Sequence, residues 1–401
     1  MYGVWNFITG IYLTMVAYLN AYFQVAITLI EGYNGKLPLH YYLKSYFAQN
    51  KKHGSKDRKN ITQLCFNYYR LGHALKDKPI AERLKIAFFL CNPHQPGFDN
   101  FFEPHWILQW KDDLDSRLAF IKEVYPSFIP QTVFPFQHAL SAGVDAEMFS
   151  KSHFVQPDLF LRIRPQCALS VKQKLAGLPF SSISDTAIAL SNNTKLEDKL
   201  LLNKEAVIQD YSSQRVANFL QLVPVEKQLK VWDCCAASGG KSILAYDTLK
   251  NIHLTVTDVR VSILHNLQKR FSAAGIKNYT AFQSDLARPV NIREKFDLII
   301  CDVPCSGSGT WARTPESLYF FEEKEISAFS HLQQKIAVEA MKHLKPDGYF
   351  LYITCSVFHK ENEIVVDHLD KNFPVEIMKA GVIAGYGQKA DTMFATLLKS
   401  V

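Results

Sequence analysis

Apolar positions along this chain fall into two regimes. Up to about residue 125 they recur three and four apart, the spacing of helices that bury one face. Leu37-Pro-Leu-His-Tyr-Tyr-Leu-Lys-Ser-Tyr-Phe47 and Ile61-Thr-Gln-Leu-Cys-Phe-Asn-Tyr-Tyr-Arg-Leu71 both follow it, and a core helix is expected from about Val16 to Ile30. From about Gln209 onward, short apolar runs alternate with helical stretches. Strands are expected at Lys230–Asp233, His253–Thr257, Tyr279–Phe282, Phe296–Cys301 and Tyr349–Ile353. That alternation predicts an α/β fold with a mostly parallel, doubly wound sheet.

Two different stretches separate these regimes. Pro126, Pro130, Pro135 and Pro157 punctuate a segment with little regular pattern, which reads as a linker over 126–157. Leu159-Phe-Leu-Arg-Ile-Arg164 then alternates as a strand does. Leu159, Leu161 and Ile163 fall on one face, and Phe160, Arg162 and Arg164 on the other. Val171 to Leu178 reads as a helix and Phe180 to Leu190 as a second strand region, giving a small α+β module. The expected organisation is a helical domain at 16–125, a linker at 126–157, the module at 158–205 and the α/β domain at 206–401.

Composition narrows this picture moderately. The 401 residues are 48% apolar and carry a net charge of +7, which suits an anionic partner without requiring one. Eight cysteines in a chain this long form no disulfide framework, and most lie in apolar runs, so a reducing cytoplasm is expected. Cys301 and Cys305 have no matching pair of ligands nearby, so no metal is expected. Met1 to Ile30 has no charged side chain and is long enough to span a bilayer. However, Asn6, Thr9, Thr14, Asn20, Gln24 and Thr28 interrupt it and no basic flank precedes it. The expectation is no stable membrane association, with Met15 as the native start and the preceding residues as an extension.

Candidate chemistry gathers at the ends of the expected strands. Cys305 in Asp302-Val-Pro-Cys-Ser-Gly307 and Cys355 in Tyr352-Ile-Thr-Cys-Ser356 each follow a buried apolar run. Adjacent strand ends of an open α/β sheet share one crevice, so two thiols delivered there point to covalent chemistry. For either alone, a buried small apolar residue is the simpler explanation. The first strand leads into Asp233-Cys-Cys-Ala-Ala-Ser-Gly-Gly-Lys-Ser242, whose small residues let a ligand approach the backbone. Its glycine spacing fits neither a Walker loop nor a dinucleotide fingerprint. Asp258, at the next strand end, suits ribose hydroxyls, and Gln283-Ser-Asp285 suits a base edge. Taken singly these two acids read as a helix cap and a turn. Three polar groups at consecutive strand ends instead resemble a site for S-adenosylmethionine. Upstream, Lys51-Lys-His-Gly-Ser-Lys-Asp-Arg-Lys59 is a basic run; a helix opening near Asp57 after Gly54 would face an anion, and a solvated charged loop fits the charge equally well.

Together these segments resemble the RsmB/Sun-type RNA cytosine-5 methyltransferases. The likeness runs in order through Val207-Ile-Gln-Asp210, Ser213-Gln214, Cys235-Ala-Ala-Ser-Gly-Gly-Lys241 and Asp302-Val-Pro-Cys-Ser-Gly-Ser-Gly-Thr310. It continues through Arg313-Thr-Pro-Glu316 and Tyr352-Ile-Thr-Cys-Ser356 to Glu361-Asn-Glu-Ile-Val-Val366. Gly54-Ser-Lys-Asp-Arg58 is similar to a NusB-like RNA-binding domain, and the module around Leu159 to Leu190 to an RRM-like subdomain. Ser238 stands where the family usually has proline, and Trp311-Ala312 also depart from the pattern.

The resemblance implies a Rossmann-like catalytic sheet that binds S-adenosylmethionine through Cys235, Ala236, Ala237, Ser238, Gly239, Gly240, Lys241, Asp258, Asp285 and Asp302. It implies a cysteine-linked cytosine intermediate in RNA, most readily ribosomal, on a monomeric enzyme. The residues alone leave the order of the two thiols open. The resemblance makes Cys355 the nucleophile and Cys305 the group that assists release, with Asp302 on the cytosine edge and Lys241 orienting Asp302. Lys56, Arg58, Arg162, Arg164 and Arg313 are the candidate RNA contacts. The competing expectation is an RNA-binding ribosome-assembly factor with a weak methyltransferase core, for which Ser238 is the main hint. A nicotinamide enzyme lacks the glycine spacing it needs.

Overall fold

The computed structural model describes residues 19–401. Val16–Tyr18 of the first expected helix, and the start expected at Met15, lie outside the described residues. The described chain divides into two units. One holds residues up to 137 together with 146–156 and 311–321, and the other holds 138–145, 157–310 and 322–401.

The first unit is helical. It contains α1 at residues 19–32, α2 (Leu39–Gln49), α3 (Ser55–Arg70), α4 (Ile80–Cys91), α5 (Pro104–Gln109), α6 (Leu114–Val124) and α7 (Ala146–Ser152). Leu39, Leu43 and Phe47 bury one stripe of α2, as the four-residue spacing requires. The core is aromatic. Phe88 lies 4.4 Å from Phe98 between ring centres, Phe102 4.6 Å from Trp110, and Phe89 5.1 Å from Trp106. Arg83 sits inside it, donating to the Tyr68 hydroxyl at 2.9 Å and the Gly72 carbonyl at 2.8 Å.

Two features of this unit depart from expectation. Residues 126–157 were expected as a linker, yet Phe128, Val133, Phe134, Phe149 and Phe154 are buried there. The prolines mark turns, such as the 3₁₀ turn Pro130–Val133, while the aromatic residues between them build core. The segment Trp311–Phe321, expected inside the α/β domain, packs in the helical unit. Its Trp311 lies against Phe134 and Phe321, and the Glu316 carboxylate accepts from the Leu39 N–H at 3.0 Å.

The second unit begins with β1 (Leu159–Ile163), α8 (Ala168–Leu175), β2 (Phe180–Ser182), β3 (Ala187–Leu190) and β4 (Ala206–Ile208). Its small sheet has the order β2-β3-β1-β4 with antiparallel pairings. Leu161, Ile163, Val171, Leu175, Ile188 and Leu190 form its core, so the alternation in β1 faces as expected. The other face of β1 is buried too, because Arg162 and Arg164 meet Asp247.

The main sheet follows α9 (Tyr211–Arg215) and α10 (Ala217–Leu220). It is built from β5 (Leu229–Asp233), α11 (Gly240–Leu249), β6 (Ile252–Asp258), α12 (Val261–Ala274), β7 (Tyr279–Gln283), β8 (Phe296–Asp302), α14 (Lys324–Met341), β9 (Leu344–Thr354), α15 (Glu363–Asn372), β10 (Val375–Ile383) and β11 (Met393–Ser400). The helix skipped in that count, α13 (Pro315–Phe320), belongs to the helical unit. Strand order is β10-β11-β9-β8-β5-β6-β7. β5 to β9 pair in parallel, as expected, while β10 and β11 add an antiparallel edge. The order reverses between β5 and β8, and such a switch point opens a crevice at the carboxyl ends of the strands. Among the described residues, no helix is long and apolar enough to cross a membrane.

Candidate active site

β5 ends in Asp233, which is fully buried. One of its carboxylate oxygens accepts from the Ser242 hydroxyl at 2.5 Å, and the other has no partner. Burial pushes its carboxyl up to about 7. The loop that follows is bent sharply at Ala237 (φ 45°) and Gly239 (φ 83°). A Cβ on Gly239 would lie 2.7 Å from the Phe271 ring, so glycine is required there both for its left-handed backbone and for space. A Cβ on Gly240 would meet nothing within 4 Å, so the loop faces open space at the start of α11.

Asp258 ends β6 and is also buried. It accepts from the Ala237 N–H at 3.0 Å and from Arg260, and so holds the loop in place. Asp285 is half-exposed and accepts from the Ala287 N–H at 3.1 Å, the turn contact its position also allowed. Ser238 does not leave its loop loose. The Arg270 guanidinium donates to the Ser238 hydroxyl at 2.7 Å and its carbonyl at 3.0 Å, and also to Asn203 at 2.9 Å. No sequence pattern marked Arg270, which reaches the loop from the far half of α12.

The two thiols meet. The Cys355 N–H donates to the Cys305 sulfur at 3.3 Å, and the Gly309 N–H donates to the Cys355 carbonyl at 2.8 Å. Gly309 allows this approach, because a Cβ there would lie 1.9 Å from the Thr392 carbonyl oxygen. Lys241 pairs with Asp302 at 3.1 Å. Burial works against the Lys241 charge, but Asp302 and Cys355 outweigh it and raise its affinity for the proton. Contact with the Cys305 thiol and burial push Cys355 well above the usual thiol range, with Lys241 opposing. All eight cysteines are free thiols. The structure therefore brings Cys305, Cys355, Lys241, Asp302, Asp233 and the Cys235–Gly240 loop to one crevice.

The expected RNA contacts fare unevenly. Arg162 and Arg164 are corrected: both are buried and share Asp247, with Arg162 at 2.6 Å and Arg164 at 2.6 Å. Arg164 also donates to the Ala274 carbonyl at 2.6 Å, so both guanidiniums fasten the small module to the main sheet rather than meeting phosphate. Lys56 is exposed in the first turn of α3, and Arg58 is exposed and donates to the His53 carbonyl at 2.8 Å. At the start of that helix the Asp57 carboxylate accepts from the Gly54 N–H and the Tyr22 hydroxyl, so the chain places its own negative charge in the first turn. Arg313 is half-buried in the helical unit.

A sheet reversing at its centre, a small-residue loop after the first central strand and acids at the next strand ends define a Rossmann-like methyltransferase fold. Residues 219–396 match the model of the 16S rRNA methyltransferase RsmB/F family. Ribosomal RNA small subunit methyltransferase B of Xanthomonas campestris pv. campestris is 30% identical over 238 residues, 56% of this chain and 53% of that protein. The human 28S rRNA (cytosine(4447)-C(5))-methyltransferase is 29% identical over 180 residues, 44% of this chain and 22% of that protein. The chain thus spans about half or less of the curated relatives it matches. Among solved structures, PH0851 aligns over 94% of this chain and 97% of its own, with a TM-score of 0.65 and 19% identity. NSun6 from Pyrococcus horikoshii, solved with SFG, aligns over 71% of this chain and 97% of its own, with a TM-score of 0.57 and 15% identity. These two likenesses concern the fold.

Proposed function

We propose that the protein methylates carbon 5 of cytosine in RNA, with ribosomal RNA as substrate and S-adenosylmethionine as methyl donor. One observation carries this reading. The Cys305 sulfur accepts from the Cys355 backbone N–H, so the two cysteines stand side by side near the Lys241–Asp302 pair, in the crevice where parallel strands end. The family model that residues 219–396 match and the names of the relatives support the same chemistry.

The residues present fit the donor. Gly240 leaves the loop open, and Asp233 offers a buried carboxylate oxygen with no hydrogen-bond partner among the described residues. Cys235, Ala236, Ala237, Ser238, Gly239, Gly240 and Lys241 would line it, with Asp258, Asp285 and Asp302 at the strand ends. S-adenosylmethionine, when bound, supplies an electrophilic methyl group. Carbon 5 of cytosine is too weak a nucleophile by itself. Addition of the Cys355 sulfur to carbon 6 makes carbon 5 enamine-like. The raised Cys355 thiol is protonated at rest, so as the sulfur–carbon bond forms its proton passes to the Asp302 carboxylate and on to ring nitrogen 3, which takes up the displaced electron pair; the nearby Lys241 ammonium favours that loss. Asp302, held by Lys241, hydrogen-bonds the ring edge. After methylation Cys305, acting as its thiolate, takes the proton from carbon 5; the carbon 5–carbon 6 double bond re-forms and Cys355 leaves carbon 6 with the electron pair as a thiolate.

The target base has to leave its stack to reach this crevice, which favours single-stranded or open RNA. Lys56, Arg58 and Arg313 remain the phosphate contacts of the proposal, with the helical unit in a NusB-like role and the small module in an RRM-like one. The protein acts as a monomer in the cytoplasm. RNA carrying 5-fluorocytosine tests the order of the thiols, because fluorine at carbon 5 cannot leave as a proton. Wild-type chain and Cys305→Ala should form a covalent adduct and Cys355→Ala none; an adduct on Cys355→Ala overturns the assignment.

A further inference from the structure

Glu361 is fully buried, and none of its partners is a cation. A carboxylate in such a place is costly unless several donors converge on it. Here they do. The Ser306 N–H donates to Oε2 at 2.9 Å, the Gln333 amide donates to the same oxygen at 2.8 Å, and the Ser356 hydroxyl donates to Oε1 at 2.8 Å. Ser306 follows Cys305, and Ser356 follows Cys355. One carboxylate therefore grips the residue after each thiol.

The grip is part of a buried polar cluster. Gln333 also donates to the Pro304 carbonyl at 3.1 Å, so the Cys305 loop is held on both sides of its cysteine. The Ser356 hydroxyl lies 3.3 Å from that of Ser306 and 3.2 Å from that of Ser308. Behind Glu361, its own carbonyl accepts from the Tyr352 hydroxyl at 2.6 Å, which fixes the start of the turn leading to α15. Two loops from different strands are thus referenced to one rigid point, and a shared reference keeps two reacting groups in register.

We infer that Glu361 is a positioning residue for the reaction: it sets the separation and aim of the Cys305 and Cys355 thiols without touching substrate. This rests on the two-thiol reading of the site. Positioning predicts a loss in the chemical step with cofactor affinity preserved, because among the described residues the hydrogen bonds of the Glu361 carboxylate go to the two cysteine loops and Gln333 and not to the Cys235–Gly240 loop.

Replacement series separate this from a merely structural role. In Glu361→Gln the amide oxygen can still accept from Ser306 and Gln333, while its NH₂ faces Ser356, whose hydroxyl must turn to accept. In Glu361→Ala nothing joins the loops. Adduct formation on 5-fluorocytosine RNA should slow about tenfold in Glu361→Gln and about 100-fold in Glu361→Ala, with the Kd for S-adenosylmethionine within about twofold of wild type in both. Should Glu361→Ala fail to fold by circular dichroism, Glu361→Gln decides alone. Adduct rates within about threefold of wild type, or cofactor affinity falling in step with the rate, overturn the inference. A wild-type chain that never traps RNA overturns the two-thiol reading, and this inference with it, and is told apart by occurring before any substitution is made.

Discussion

At the end of β5, Asp233 holds a proton that an ordinary carboxyl would release. Its folded-state value near 7 lies above that of the free side chain, so the folded chain binds the proton more tightly than the unfolded one. The associated stability is fully present below about pH 4 and is lost as pH rises through about 7. Asp233→Asn cannot ionise and should escape that loss. Its stability relative to wild type should improve by about 3 kcal/mol between about pH 5 and pH 8, as read by urea unfolding. A difference that stays constant across that range would contradict the assignment. Ser238 makes a second prediction at this scale. Arg270 does for the loop what a proline ring would do, by limiting its conformations. Arg270→Ala should weaken S-adenosylmethionine binding about fivefold by calorimetry, and adding Ser238→Pro should recover most of it. If the double variant binds no better than Arg270→Ala, the brace is not what the serine needs.

Among elements, β1 and α11 are joined by charge inside the protein. Asp247 on α11 serves both Arg162 and Arg164 of the β1 segment. Asp247→Ala would leave two buried guanidiniums uncompensated and should cost about 3–5 kcal/mol in denaturant unfolding; a cost under about 1 kcal/mol would mean that water or other groups replace the carboxylate. This pair also marks where sequence reasoning stops. Alternation in Leu159–Arg164 correctly put the two arginines on one face, but a face is assigned to solvent or protein only by what packs on it, and Asp247 lies far along the chain. The strands β5, β6, β8 and β9 were legible because apolar runs of buried strands stand out. β10 was not, because most of its positions are exposed on the antiparallel edge. The prolines of 126–157 suggested a linker, and the buried Phe128, Phe134, Phe149 and Phe154 outweighed them.

For the molecule as a whole, the site was legible where its chemistry is local. The Gly-rich loop, the Cys305 loop and the Cys355 loop each declare themselves within a few residues. What joins them was not legible, since Lys241 to Asp302, Arg270 to Ser238, and Glu361 to Ser306 are pairings that only the fold creates. The reaction proposed for this assembly is formation of 5-methylcytosine in ribosomal RNA through Cys355. The most direct measurement incubates the chain with S-adenosylmethionine and ribosomal RNA lacking the modification, digests the RNA and quantifies 5-methylcytidine by mass spectrometry. The wild-type chain should yield 5-methylcytidine and Cys355→Ala none. No product from the wild type, or equal product from Cys355→Ala, would contradict it.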